Sequence, residues 1–174
     1  MGNFYTNFTI LGVASEDVLD AARLLRRTAY VVQAPTGDSV MFDSACETQD
    51  VYEMERLGLA LSGRLGAPVV ACLNHDDDHL LLWVFRDEMK VAFYESCTDA
   101  PVFSWWLTRA RGGVAAYPLV VGVLGWPFVV FQFLRHKALA CLLSLPNSAV
   151  GFGYKYLSNG EIPSGYSKDE IHAA

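Results

Sequence analysis

Residues 50–86, DVYEMERLGLALSGRLGAPVVACLNHDDDHLLLWVFR, decide the fold class. Asp50 followed three residues later by Glu53 has the spacing of a capping box, with Asp in place of the usual Ser or Thr, so a helix starts here. Met54, Leu57, Leu61 and Leu65 recur every three or four residues and give that helix one apolar stripe. Gly66-Ala67-Pro68 stops it, and two runs rich in apolar and β-branched residues follow, VVACL at 69–73 and HLLLWVFR at 79–86. The Asn and Asp residues between them are turn formers. A helix leading directly into a strand hairpin makes this an α+β chain.

Working outward, the same grammar repeats on the N-terminal side. NFYTNFTIL at 3–11 predicts a strand that Gly12 breaks. Ser15 is placed to cap a helix whose first turn carries Glu16 and Asp17, whose apolar face is Val18, Ala21, Ala22 and Leu25, and whose C-terminal half carries Arg23, Arg26 and Arg27. AYVVQ at 29–33 and SVMFD at 39–43 read as strands around a Pro35–Asp38 turn. KVAFYE at 90–95 adds another strand beyond 79–86. The order strand, helix, strand, strand, helix, strand, with a further hairpin, matches the split βαβ plan of ferredoxin-like folds, an antiparallel sheet with its helices on one face.

A chain of 174 residues is expected to fold as a single domain, 1–174, without a disulfide or structural metal to staple it. Its 52% hydrophobic and 13% aromatic content excludes disorder. Charge divides the chain: residues 1–99 hold sixteen carboxylates against seven Lys or Arg, a net of −9, whereas residues 100–174 hold three against six, a net of +3. An acidic ferredoxin-like part is thus expected to carry an apolar C-terminal part packed on it. Such a field repels phosphate and disfavours nucleic acid as a partner. The start of the chain has no basic segment leading into an apolar run, and Cys46, Cys72, Cys97 and Cys141 lack the close spacings of zinc knuckles or redox dithiols. Free structural thiols in a reducing cytoplasm are the expectation.

Residues 112–134 run without a charge for 23 positions, long enough to cross a bilayer, and Arg135-His136-Lys137 would flank such a span. Pro118, Pro127 and the Gly125-Trp126-Pro127 break divide the segment, so membrane contact is disfavoured against a buried helix near 104–124 and a core strand at 128–134. Residues 137–143 read as a short helix ended by Pro146, and Asn147 or Ser148 could cap another running to Leu157, where Gly160 follows. Together with the opening GNFYTN, the stretch RHKALACLLSLPNSAVGFGYKYLSNGEIP at 135–163 resembles a set of small uncharacterised bacterial proteins. The resemblance implies a bacterial cytosolic protein and no site residues.

The densest ligand-like cluster is Asn74-His75-Asp76-Asp77-Asp78-His79, but turn chemistry accounts for its acids, and histidines four apart do not converge on a turn as they do on a helix. It lacks the glycine and the distal Glu of an EF-hand, and no metal or other cofactor is expected. Asp87-Glu88 reads as a solvated turn, and no Cys-His, phosphate-loop or paired-acid arrangement supplies a catalytic set. Small size, acidity and surplus aromatics are similar, at the level of class properties, to bacterial toxin-immunity proteins. The leading expectation is therefore a cytoplasmic inhibitor that binds a basic protein toxin or effector through Asp43, Glu47, Asp50, Glu53, Asp76, Asp77 and Asp78. The alternative is an enzyme or small-molecule binder with an aromatic pocket of Trp105, Trp106, Tyr117 and Trp126 between the sheet and the C-terminal part.

Overall fold

A computed structural model describes residues 4–75, 79–95, 146 and 151–174. Strand β1 (Tyr5–Ile10) leads into helix α1 (Ser15–Leu24), the hairpin β2 (Ala29–Gln33) and β3 (Ser39–Asp43), a 3-10 turn at Ala45–Thr48, and helix α2 (Val51–Leu65). Strands β4 (Val69–His75), β5 (His79–Arg86) and β6 (Met89–Glu95) follow, and then a short helix α3 (Tyr154–Ser158), a 3-10 turn at Lys168–Glu170 and β7 (Ile171–Ala173).

The seven strands form one sheet in the order β6-β5-β4-β1-β3-β2-β7, every adjacent pair antiparallel. It follows that β1 and β2 run parallel with β3 between them, and β3 and β4 run parallel with β1 between them. Each helical crossover therefore skips one strand, the two units interlock, and the α+β class expected from the sequence holds. Three further strands, β5, β6 and β7, widen the sheet beyond a four-stranded core.

Alternation along the strands divides the core into two sides. Phe8, Ile10, Val31, Met41, Val69 and Trp83 pack beneath Val18, Ala22, Met54, Leu57 and Leu61 of α1 and α2. Gly58 lets α2 lie directly on β5, since a Cβ there would stand 2.2 Å from the Phe85 ring. The opposite face is apolar too: Val70, Leu80, Leu82 and Val84 form one buried group, and Val32, Val40 and Phe42 form another with Leu157 of α3. Burial on both faces explains why β5 reads as an almost unbroken apolar run rather than an alternation.

Local chemistry sets the boundaries. The start of α1 is capped from across the chain rather than by Ser15: Ala14 holds the N-cap position, and Gln33 Oε1 on β2 accepts from the Ser15 amide at 2.6 Å. Asp38 Oδ1 accepts from the Gly12 amide at 2.9 Å, which ties the loop before α1 to the β2–β3 turn. Asp87 and Glu88 both take positive φ, 50° and 59°, to close the tight β5–β6 hairpin.

The C-terminal segment departs from the sequence reading in two places. Among the described residues, the helix expected to run to Leu157 begins at Tyr154, preceded by Gly151 with φ 78° and an extended Gly153. His172 lies in β7, a strand the sequence reading did not place, where Ile171–Ala173 pair with Val32–Tyr30 on the open edge of β2. The expected segments at 104–124, 128–134 and 137–143, and the aromatic pocket with them, lie outside the described residues. Among the described residues, no helix is long and apolar enough to cross a membrane.

Candidate functional site

Four of the seven acids singled out from the sequence, Asp43, Glu47, Asp50 and Glu53, lie at the end of β3, in the 45–48 turn and at the start of α2. Asp43 ends β3 with its side chain fully buried. Arg27, placed behind α1 by the left-handed turn at Arg26 (φ 55°), holds it in a fork: Nε donates to Oδ2 at 2.8 Å and Nη2 donates to Oδ1. Oδ1 also accepts from the Ala45 and Cys46 amides, at 3.0 and 3.1 Å. Arg27 Nη1 reaches Glu53 on α2, and Glu53 accepts in turn from Arg56 Nε and Nη2, at 3.0 and 2.8 Å. Arg56, then Arg27, hold the Glu53 carboxyl down at about 2 against the opposing effect of partial burial. The hydrogen bond to Asp43 likewise drives the Arg27 pKa upward.

Two arginines and two carboxylates make this network neutral; its Arg27–Asp43 half is buried, while Arg56 faces solvent. Asp43 therefore adds nothing to a solvent-facing acidic field, and Glu53 is neutralised by its neighbours. Glu47 is committed elsewhere: it lies at the seam with the C-terminal segment, where burial raises its pKa. Asp50 does what its spacing predicts in one direction, accepting from the Tyr52 amide at 2.9 Å and the Glu53 amide at 3.4 Å. The reciprocal half of a capping box is replaced, since both Glu53 oxygens serve arginines.

The turn before α2 is fastened to the end of β4. Gln49, left-handed at φ 59°, donates from Nε2 to the Asn74 carbonyl at 2.8 Å, and its Oε1 accepts from His75 Nδ1 at 2.5 Å. Phe4 meets the His75 ring edge-on, with centroids 4.9 Å apart. The tie holds the turn before Asp50 and α2 against the Asn74–His75 end of β4; Asp76, Asp77 and Asp78, which follow in the sequence, lie outside the described residues. His75 and His79 prove to be cross-strand partners in the β4–β5 ladder. They engage different neighbours: His79 Nε2 stands 3.3 Å from Glu95 Oε1 on β6, while His75 leans on Gln49 and Phe4. Among the described residues no group of three or more His, Cys, Asp or Glu could hold a metal ion.

Cys46 is buried beside Asp43, and desolvation followed by that carboxylate pushes its thiol pKa well up, away from a nucleophilic thiolate. Cys72 is buried and pushed up by desolvation alone. An open groove of about 600 Å³ runs between the start of α1 and the end of α2, past Val13, Asp17, Leu24, Arg64 and Leu65. It lacks a desolvated acid–base pair.

Tyr52, 84% exposed in the first turn of α2, was not singled out by the sequence. Its position did carry a signal: it falls off the Met54-Leu57-Leu61 stripe, so an aromatic ring had to face solvent. The part played by Arg27 was legible only as a helix-terminal charge, because its partners are 16 and 26 residues away. In comparison with known proteins, the chain matches no family model, no curated protein and no solved structure.

Proposed function

We propose that the chain is a protein-binding inhibitor of the immunity-protein kind, which docks a basic toxin or effector through Asp50, Tyr52, Phe4 and the acidic residues Asp76, Asp77 and Asp78. The observation that carries this reading is the Gln49 tie. It joins the turn that precedes Asp50 and the exposed Tyr52 to the Asn74–His75 end of β4, after which Asp76, Asp77 and Asp78 follow in the sequence. Carboxylates at a rim steer a basic partner and speed encounter, while a rigid, exposed aromatic supplies contact area at low entropic cost. Asp43, Glu47 and Glu53 are left out of the contact set, since their charges are buried or paired.

The test is co-expression with the product of the adjacent gene, followed by pull-down and a growth assay. A stable complex that restores growth supports inhibition, and rescue without association argues for chemistry instead. In the complex, changing Asp50, Asp76, Asp77 and Asp78 together to Asn slows association and flattens its salt dependence. Tyr52→Ala costs about 2 kcal/mol of binding if the ring is a central anchor. Rates and affinities untouched by both variants would remove this surface from the interface.

A further inference from the structure

Glu47 sits where three elements meet, apart from the arginine network and the acidic rim. Its Oε1 is buried without a hydrogen-bond partner. A Cβ placed on Gly153 would stand 2.6 Å from that oxygen and 3.1 Å from Tyr5 Cβ, so the C-terminal segment passes against β1 and the 45–48 turn with no room to spare. The segment is held there by apolar and polar contacts together. Leu157 is buried with Val32, Val40 and Phe42; Asn7 Nδ2 donates to the Phe152 carbonyl at 3.2 Å; and Tyr154 stacks on Tyr30, with centroids 5.1 Å apart. Beyond, β7 pairs with β2, and the Ala174 amide donates to the Ala29 carbonyl at 2.8 Å.

We propose that Glu47 is a proton-dependent latch for residues 151–174: with a neutral Glu47 carboxyl the segment docks on β1 and β2, and ionisation of that carboxyl loosens it. Among the described residues, the groups facing the carboxyl are few. From α3 come the amides of Tyr154 and Lys155 and the Lys155 ammonium, all of which favour the charged form. Tyr5 on β1 packs against Gly153, and burial raises the pKa of the Tyr154 phenol on α3. On Glu47's own turn, Cys46 is a protonated thiol, and Asp43 beyond it is matched by Arg27. Burial is the largest influence and outweighs the amides and Lys155, so the carboxyl's pKa is raised. A carboxyl whose pKa is raised on docking favours the docked state most at low pH, and that preference is lost as pH rises through the docked value. Loosening would bare Val32, Val40 and Phe42 and open the edge of β2, so the latch regulates access to a surface remote from the acidic rim.

Hydrogen exchange followed by mass spectrometry tests this on the full chain from about pH 3.5, below the ordinary carboxyl range, to about pH 8, with rates normalised to intrinsic exchange. Peptides covering 154–160 and 170–174 should lose protection as pH rises. The loss should reach about tenfold for every unit by which the docked pKa exceeds the free one. A peptide covering β4 should keep its protection, and Glu47→Gln should hold the C-terminal peptides protected across the range. If Glu47→Gln does not fold, Lys155→Met at an exposed position serves instead: removing the ammonium that favours the charged form moves the loss of protection to higher pH. Equal pH dependence in the wild type and the variant, or loss of protection in β4 at the same pH, would overturn the proposal.

Discussion

Arg27→Met leaves the Asp43 carboxylate inside the protein with its cation gone. Asp43 is fully buried and the Arg27 side chain is only 9% exposed, so solvent cannot replace the guanidinium. The carboxylate keeps the Ala45 and Cys46 amides but loses the two-pronged contact, and Glu53 loses one of its two arginines. Breaking one side of a buried ion pair costs about 3–5 kcal/mol, a large part of the roughly 5–15 kcal/mol that holds a domain folded. Removing the charge as well reverses much of that loss. The double variant Arg27→Met with Asp43→Asn keeps an oxygen for the two amides and has no uncompensated ion, so it should regain about 2 kcal/mol over Arg27→Met alone. Urea unfolding followed by tryptophan fluorescence, with Trp83 buried in the main core, gives the three stabilities of the cycle. A double variant no more stable than Arg27→Met would refute the reasoning, because it would show that the loss came from packing rather than from a stranded charge.

Gly58→Ala forces a methyl against the Phe85 ring and should lower stability by about 1–3 kcal/mol, read as a drop in thermal midpoint; a neutral result would mean α2 can lift off β5 without cost. Glu88→Gly relieves a left-handed residue in the β5–β6 turn and should raise stability by about 1 kcal/mol in the same assay, with the Ser62 hydroxyl still accepting from the amide at position 88. Glu53 has a depressed pKa, so its contribution is complete above the ordinary carboxylate range near 4.5 and is lost as pH falls toward about 2. Urea midpoints measured from pH 6 down to pH 2 should therefore fall less steeply in Glu53→Gln than in the wild type, and parallel profiles would contradict the assignment.

Wherever periodicity or turn chemistry acts locally, the structure follows the sequence closely. The strands at 29–33, 39–43 and 79–86 and the helix ending at Leu65 fall where their patterns place them. The misses are long-range. Nothing around Ile171 announces a strand, since IHA becomes one only because β2 offers an unpaired edge and the Ser167–Glu170 capping box turns the chain toward it. The start of α1 is similar: Ser15 has the composition of a cap, yet a glutamine on another strand accepts from the helix's first amide. Asp38 reads as an ordinary turn acid and proves to be the brace for Gly12.

The acidic residues show most clearly what a charge count leaves out. The sequence treats Asp43, Glu47, Asp50 and Glu53 as one group because they fall within eleven positions. The fold gives each a different neighbour: Asp43 meets an interior arginine, Glu47 the C-terminal seam, Asp50 the first amides of a helix, and Glu53 a pair of arginines that it bridges. A carboxylate matched at hydrogen-bond distance contributes little field beyond a Debye length, so only unmatched surface acids can steer a partner. Electrostatic function on this chain therefore depends on which acids have no cation within reach. That property is fixed by chain crossings such as the Gln49 tie and the reach of Arg27, and spacing along the sequence does not encode it. By the same argument, among the described residues of that group Asp50 is the acid most worth changing in a binding experiment, while changing Asp43 would report on folding.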